Sequence, residues 1–482
     1  MKRKVTIRNT IPFITFFCFL IMLLIFTLRN TLNLDNLSLL IVFFLMICLF
    51  YYKSQIFIKY VFSIFTCLFM IIGLYLCNKN GIYLYEIEKY SHYNGSFSIA
   101  VIYFIIYFVF LILFDSFFEK KFKYFYESEK NNNYNFFLIL MFLIELVSFM
   151  SVINKPSFLL NVDRFGYSKY FLNPIISKIQ SIFICLSPAL LLPFLKKNKK
   201  SKKQIIFVIL IILILFFLYG VWTGNKFGLF FNIFYLIFSP LAVLLGNKGL
   251  KENEYRCLKI EENNLIKFKF NIIKIMSFAF IILLVTIAPY YVLRNIEFSS
   301  GLLKRTAQQG QLWWATYDLM HNNEKHISEI SDEIEAIKIL NFSDSKNYNY
   351  SYGVYKIMKL VTPNYIYSNV INNGYRYSAQ GIEISYYYFR YFGIIIHSIL
   401  RAFFEALLVN LLIKYLFSKR LLEMIITSKF IIIFHSAFSQ GDIYLLFSKS
   451  TIIIFMMLIF LEMMYKKKIK EKNNENISSY TC

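Results

Sequence analysis

Apolar runs long enough to cross a bilayer recur along almost all of this chain, and they leave it one broad class of fold. A hydrocarbon core of about 30 Å takes roughly 20 apolar residues as a helix. Inside that core each backbone N–H and C=O must find its partner within the protein, which a helix does by itself. About twelve such runs can be read, at roughly 10–28, 37–52, 56–76, 98–115, 135–152, 175–195, 205–223, 229–246, 271–293, 392–416, 423–440 and 445–465. The second, eighth and eleventh are the short ones. Composition agrees, with 58% of residues hydrophobic and a mean hydropathy of +0.54. The first run follows Met1-Lys2-Arg3-Lys4. It is long for a signal sequence and no small-residue cleavage site follows it, so it reads as a retained helix.

Charge then orients the spans. Lys and Arg total 52 against 28 Asp and Glu, a formal net charge of +24. This excess is not gathered on one soluble domain, which argues against nucleic acid as a partner. It falls in alternate connections: Lys2 to Arg8, Lys120 to Lys130, Lys196 to Lys203, Lys248 to Lys269, and Lys466 to Lys472. Positive connections stay in the cytoplasm. Twelve spans with both termini cytoplasmic satisfy the alternation, and an odd number breaks it. The reading is an all-α polytopic membrane protein in four parts. Residues 1–293 carry nine spans with short connections, and 294–391 form a large outer loop. Residues 392–465 carry three more spans, and 466–482 a basic tail. The seven cysteines show neither a disulfide framework nor metal-ligand spacing.

The large loop is where chemistry is expected. It holds Lys304-Arg305-Thr306-Ala307-Gln308-Gln309-Gly310-Gln311-Leu312-Trp313-Trp314, with two of the three tryptophans. Ile327, Ile330, Ile334 and Ile337 recur at helical spacing, so the loop is partly helical. Tyrosines crowd its second half. Tyr and Trp suit a membrane interface, and their apolar faces and polar tips also suit sugar rings. Arg294, Lys304, Arg305, Arg376 and Arg390 stand among them, and Arg grips phosphate oxygens in pairs. Cations and aromatics at membrane level fit a lipid-linked pyrophosphoryl sugar. Two shorter outer connections add Asp163-Arg164 and Gly224-Asn225-Lys226-Phe227-Gly228, the latter either an ordinary tight turn or a phosphate cradle. Within the spans, Glu145, Lys429, His435 and Lys449 are costly charges or polar groups. His397, Arg401 and Glu405 share one helix face. That face reads as a structural ion pair beside a satisfied histidine, as the wall of a cavity, or as a proton relay. No nucleotide, dinucleotide or His-Glu-x-x-His motif appears.

Three stretches are similar to the oligosaccharide repeat-unit polymerases of the Wzy type, which act in O-antigen and capsule synthesis. They are Arg305 through Trp314, Thr223 through Gly228, and Gly381-Ile382-Glu383 through Tyr391-Phe392-Gly393. The span number, the late large loop and the basic cytoplasmic connections resemble that family over nearly the whole chain. The resemblance implies a GT-C-like glycosyltransferase of the bacterial inner membrane. It would join undecaprenyl-pyrophosphate-linked repeat units at the periplasmic face, without metal or other cofactor. It also implies membrane lipids and a chain-length regulator as partners. Arg305 and Arg164 would grip the pyrophosphate, followed by Lys226, Arg294, Arg376 and Arg390. Lys304, Gln309, Gln311, Trp313 and Trp314 complete the substrate-binding set. Glu383, then Asp163 and His321, are candidates for the general base. Rival readings are a ligase moving glycan onto lipid A core, a repeat-unit flippase, an acyltransferase, and a membrane protein without chemistry.

Overall fold

The computed structural model describes residues 53–79, 81–122, 134–160, 162, 164–195, 202–224, 228–246, 298–322, 331–342, 352–372 and 376–478, with isolated positions between 35 and 49. The apolar runs 10–28 and 271–293 and most of 37–52 lie outside the described residues.

The described chain is helical apart from one hairpin. Helices α1 (Ser54–Lys59) and α2 (Val61–Asn78) lead to strands β1 (Tyr83–Leu84) and β2 (Lys89–Tyr90), which pair antiparallel. Then come α3 (Ser96–Lys121), α4 (Tyr134–Met150), α5 (Arg164–Tyr170) and α6 (Pro174–Leu186), which runs into a 3₁₀ segment, Ser187–Leu195. Helices α7 (Lys202–Trp222) and α8 (Gly228–Gly246) follow. The 294–391 stretch contains α9 (Phe298–Ala307), α10 (Gln311–Asn322), α11 (Ser331–Phe342), α12 (Gly353–Val361) and α13 (Asn364–Asn372). The chain continues through α14 (Ile382–Phe417), α15 (Leu421–Ser439), a 3₁₀ turn at Ile443–Phe447, and α16 (Lys449–Ser478).

Among the described residues six helices are long and apolar enough to cross a membrane: Val61–Asn78, Ser96–Lys121, Pro174–Pro193, Gln204–Trp222, Ile382–Phe417 and Leu421–Ser439. Phe137–Met150 and Asn232–Leu244 are apolar but shorter. The protein is thus a helical membrane protein.

Local signals set several boundaries. Just before the cap residue Gly95, Asn94 Oδ1 accepts the Ser96 N–H at 3.0 Å, a side-chain turn that leads into α3. Asn173 does the same for Ile175 at 2.9 Å, with Pro174 at the first helical position, where its missing N–H costs nothing. Ile334 and Ile337 of the isoleucine pattern fall in α11, which begins at Ser331, while Ile327 and Ile330 lie outside the described residues.

Helix α14 lies along α3 and α15 and forms the spine of the bundle, while α4 pairs with α7, and α8 packs on α1 and the Ser187–Leu195 segment. One end of the bundle is tied by buried charge. Lys59 Nζ lies 2.6 Å from Asp115 and donates to Asn410 Oδ1 at 2.8 Å, and Tyr60 OH donates to the same Asp115 oxygen at 2.5 Å. At that end Lys414 and Arg420 also share Glu462, at 2.7 and 2.8 Å. The opposite end carries the hairpin and the large loop, and is called the loop end below.

Candidate functional site

The Arg305–Trp314 stretch docks onto the bundle by its backbone. It turns between α9 and α10 at Gly310, which rests against Gly73 and Leu74 of α2. A Cβ at Gly310 would overlap the Leu74 nitrogen and stand 2.7 Å from the Gly73 carbonyl carbon. A Cβ at Gly73 would overlap the Thr306 carbonyl and stand 2.8 Å from the Gly310 nitrogen. Two glycines facing each other are what let the chains touch. Trp313 and Trp314 follow and are both 0% exposed. Their indole N–H groups donate to the Ser96 and His92 carbonyls, each at 2.9 Å. The tryptophans therefore anchor the loop to the start of α3.

The cationic half of the same stretch faces outward. Lys304 and Arg305 are exposed. Lys304 Nζ sits 4.8 Å from the Tyr85 ring centre and donates to its hydroxyl at 3.2 Å, and Arg305 Nη1 donates to Gln308 at 3.1 Å. Gln309 is half-buried. Gln311 is buried and donates its amide to Glu86 in the hairpin. Burial pushes the Glu86 carboxyl up to about 7, against the opposing pull of the Arg305 charge.

The end of the loop folds back into the bundle. Arg376 is fixed at the rim by Asp442 and Gln440. Asp442 is itself buried and also accepts from Ser436 Oγ at 3.2 Å. Residues 376–380 then run inward without helical structure, until Gln380 Nε2 donates to the Thr66 carbonyl of α2 at 3.4 Å. Thr66 lies twelve residues before the loop end of α2 at Asn78, roughly 18 Å along the helix. Gly381, with φ 76°, reverses the chain, and α14 begins there heading outward.

Helix α14 is two helices. Arg390 has φ 52° and ψ −138°, a non-helical conformation that breaks it. A Cβ at Gly393 would overlap the Ser385 carbonyl, and one at Gly381 would lie 2.7 Å from His397 Nε2. Both contacts are centred on Phe389, so 382–389 runs antiparallel to the long arm that follows. Non-helical backbone at this depth is tolerated because protein surrounds it. Glu383, 0% exposed, accepts the Gln380 N–H through both oxygens, at 3.3 and 3.1 Å. Its carboxyl caps its own helix. Arg390 donates Nη1 to the Met320 carbonyl at 2.7 Å and lies 5.7 Å from the Tyr386 ring.

Below this hairpin the shared face of His397, Arg401 and Glu405 is resolved in detail. Arg401 and Glu405 are 2% and 5% exposed, yet they make no direct ion pair. Glu405 is held by three hydroxyls: Tyr107 and Tyr235, each at 2.6 Å, and Ser63. Arg401 Nη1 donates to Tyr103 OH at 3.1 Å, and its guanidinium lies 4.9 Å from the Tyr107 ring. His397 stacks on Tyr103 at 5.7 Å. Neither of its ring nitrogens makes a hydrogen bond of ordinary geometry, and neither does Arg401 Nη2. Arg401, Glu405, Tyr235, His435 and Ser439 line a small cavity. The ion-pair expectation is corrected: neutral hydroxyls, not the neighbouring cation, satisfy the carboxylate.

The structure thus gathers the sequence-derived residues into three places. Lys304, Arg305 and Gln311 stand with Glu86 at the loop end. Arg376, Glu383 and Arg390 belong to the inward-folding segment, and Trp313 and Trp314 are anchors. Arg164 begins α5, and its side chain lies outside the described residues, as do Lys226, Arg294, Asp163 and His326. The sequence reading missed Tyr103, Tyr107, Tyr235 and Ser63. Tyr103 and Tyr107 stand four apart in an apolar run, a spacing that marks one helix face. Among the described residues no three His, Cys, Asp or Glu side chains converge as a metal site.

Residues 347–466 match the model of a family of unknown function, DUF6418. That stretch takes in Arg376, the hairpin at Arg390, Arg401, Glu405 and Asp442. No curated protein and no solved structure matches the chain.

Proposed function

We propose that this chain is a membrane glycosyltransferase that polymerises lipid-linked oligosaccharide repeat units. In this reading about twelve spans of a GT-C-like fold sit in a bacterial inner membrane, with both termini cytoplasmic and the loop end periplasmic. The observation that carries it is the loop end itself. Lys304, Arg305, His321 and Tyr391 are exposed there, at one end of a bundle whose helices are long and apolar enough to cross a membrane. The pyrophosphate of an undecaprenyl carrier lies at that level. Arg305 and Lys304 supply positive charge for the leaving pyrophosphate, and the surrounding tyrosines offer faces on which sugars stack. The resemblance of the Arg305–Trp314 stretch to the repeat-unit polymerases supports the same reading.

A ligase that moves finished glycan onto lipid A core is the second reading, favoured by the exposed His321 on α10. The two part in one experiment, a gel of surface glycan from the host with the gene deleted and then restored. A polymerase leaves lipid A core capped by a single repeat, and restoration returns the ladder. A missing ligase leaves polymer on the lipid carrier. A missing flippase leaves no repeat on the outer side, and an unchanged ladder removes glycan assembly from consideration. Within the restored host, Arg305→Ala should abolish the ladder while the protein stays in the membrane. Arg305→Lys should restore it only partly, because the paired N–H geometry is lost.

A further inference from the structure

The polymerase reading needs a group to take the proton of the acceptor hydroxyl, and Glu383 is committed to capping its own helix. Another pair is better placed. His92 Nε2 and Asp318 Oδ1 are 3.0 Å apart, across 226 residues of sequence. Their side chains are 53% and 16% exposed, so the carboxylate is the inner member and the imidazole the outer one. With Nε2–H donated to the carboxylate, Nδ1 keeps its lone pair and can accept a proton.

The imidazole is held in place from several sides. The Trp314 indole meets its ring edge to face at 4.9 Å and donates to the His92 carbonyl at 2.9 Å. Asn94 Nδ2 donates back to the Trp314 carbonyl at 3.1 Å. Two hydrogen bonds therefore pin the His92–Asn94 segment to Trp314, one turn before Asp318 on α10. Trp314 and Asp318 form one row of that helix, and Tyr317 and His321 form the next.

In that second row Tyr317 is buried and, with the buried Tyr386, backs the exposed His321 and Tyr391. The Tyr317 ring stacks on His321 at 5.8 Å and on Tyr386 at 5.5 Å. Its hydroxyl is 3.5 Å from that of Tyr391, and Tyr93, next to His92 in the chain, is within electrostatic range of it. Arg390 reaches the same helix through the Met320 carbonyl and keeps further N–H donors for an anion.

We propose that the His92–Asp318 pair is the catalytic base of this site and that the exposed Tyr391 and His321 beside it, backed by the buried Tyr317, receive the acceptor sugar. The inference rests on the polymerase reading. In the step, His92 Nδ1 takes the proton of the acceptor hydroxyl. The freed oxygen bonds to the anomeric carbon of the donor glycan. The anomeric C–O bond to the pyrophosphate breaks, its electron pair leaving on the carrier pyrophosphate, and the imidazolium returns its proton to water. Asp318 holds the tautomer and stabilises the imidazolium.

The test uses the full-length protein in the deletion host, with glycan gels for activity and immunoblots of membranes for protein. His92→Gly should lower polymer about 100-fold or more with protein level kept, and imidazole added to the medium should return part of the ladder. A structural histidine would not respond to free imidazole in this way. Asp318→Asn, which keeps the shape and the hydrogen bond but not the charge, should lower polymer about tenfold or more at unchanged protein level. A full ladder from His92→Gly overturns the proposal. So does a ladder lost in His92→Gly that imidazole fails to restore while Asp318→Asn remains fully active. If deletion of the gene itself leaves the ladder unchanged, the polymerase reading fails and the base assignment falls with it. If deletion abolishes the ladder and these variants retain it, only the base assignment falls.

Discussion

Two regions of this protein combine a cation, a carboxylate and several tyrosines, and they use them in opposite ways. In the bundle, Arg401 and Glu405 lie one helical turn apart, almost fully buried. Each is met by neighbouring tyrosines, with Ser63 completing the shell around Glu405. At the loop end, Lys304, Arg305 and the His92–Asp318 pair are supported from beneath and remain open above. A buried charge is costly unless it is solvated by the protein; three hydroxyls solvate Glu405, and Arg401 is held by the Tyr103 hydroxyl and the Tyr107 ring. The outer cations Lys304 and Arg305 are exposed and solvated by water instead. Residue type alone does not show which arginine the fold buries and which it leaves exposed; Arg401 is buried and Arg305 is exposed.

The contrast can be broken most forcibly in the bundle. Glu405→Ala strands Arg401 in a low-dielectric interior, and loss of one member of a buried charged cluster costs roughly 3–5 kcal/mol. The expected outcome is little folded protein in membranes, seen by immunoblot and by a lowered aggregation temperature in detergent. Protein at normal level and stability would mean the deep cluster is not structural. A smaller effect is expected where the loop docks. Gly310→Ala pushes a methyl group into the Leu74 backbone, and overpacking of this kind costs about 1–3 kcal/mol. The variant should lower thermal stability and make the 298–322 segment easier for a protease to cut from the loop side.

The smallest effect concerns Glu86. Its carboxyl, ordinarily titrating near 4.5, is raised to about 7 by burial. Between those two values the folded chain holds a proton that the unfolded chain has released. The stability that neutral Glu86 confers is therefore present below about pH 4.5 and is lost as pH rises towards about 7. Glu86→Gln keeps a neutral partner for Gln311 and should flatten that part of the pH–stability curve, measured as melting temperature between pH 5 and pH 8. An unchanged slope would place the titrating group elsewhere.

The membrane class was legible in the sequence because apolar length is a one-dimensional property. The run 392–416 corresponds to the long arm of α14, and Ile334 and Ile337 of the loop fall in α11. What escaped the reading depends on contacts between distant residues. Gly381 and Gly393 stood out as a motif, yet only the fold shows why: each lets two helical arms touch where a Cβ would collide. His397, Arg401 and Glu405 were placed on one face by their spacing, but their partners Tyr103, Tyr107, Tyr235 and Ser63 come from three other helices. Trp313 and Trp314 looked like an aromatic contact surface, and the hydrogen bonds to the Ser96 and His92 carbonyls explain their burial instead. His92 drew no attention at all, since its carboxylate lies 226 residues further along the chain.

The central claim is that the last part of the large loop enters the bundle, while Lys304 and Arg305 of the same loop stay exposed. Cross-linking tests it directly. In a background with all seven cysteines replaced, Thr66→Cys and Gln380→Cys should be joined by a short bifunctional thiol reagent. Gln380→Cys alone should resist a membrane-impermeant maleimide that readily labels Lys304→Cys in intact cells. Absence of the cross-link, with Gln380→Cys labelled as fast as Lys304→Cys, would put the loop above the bundle and contradict the account.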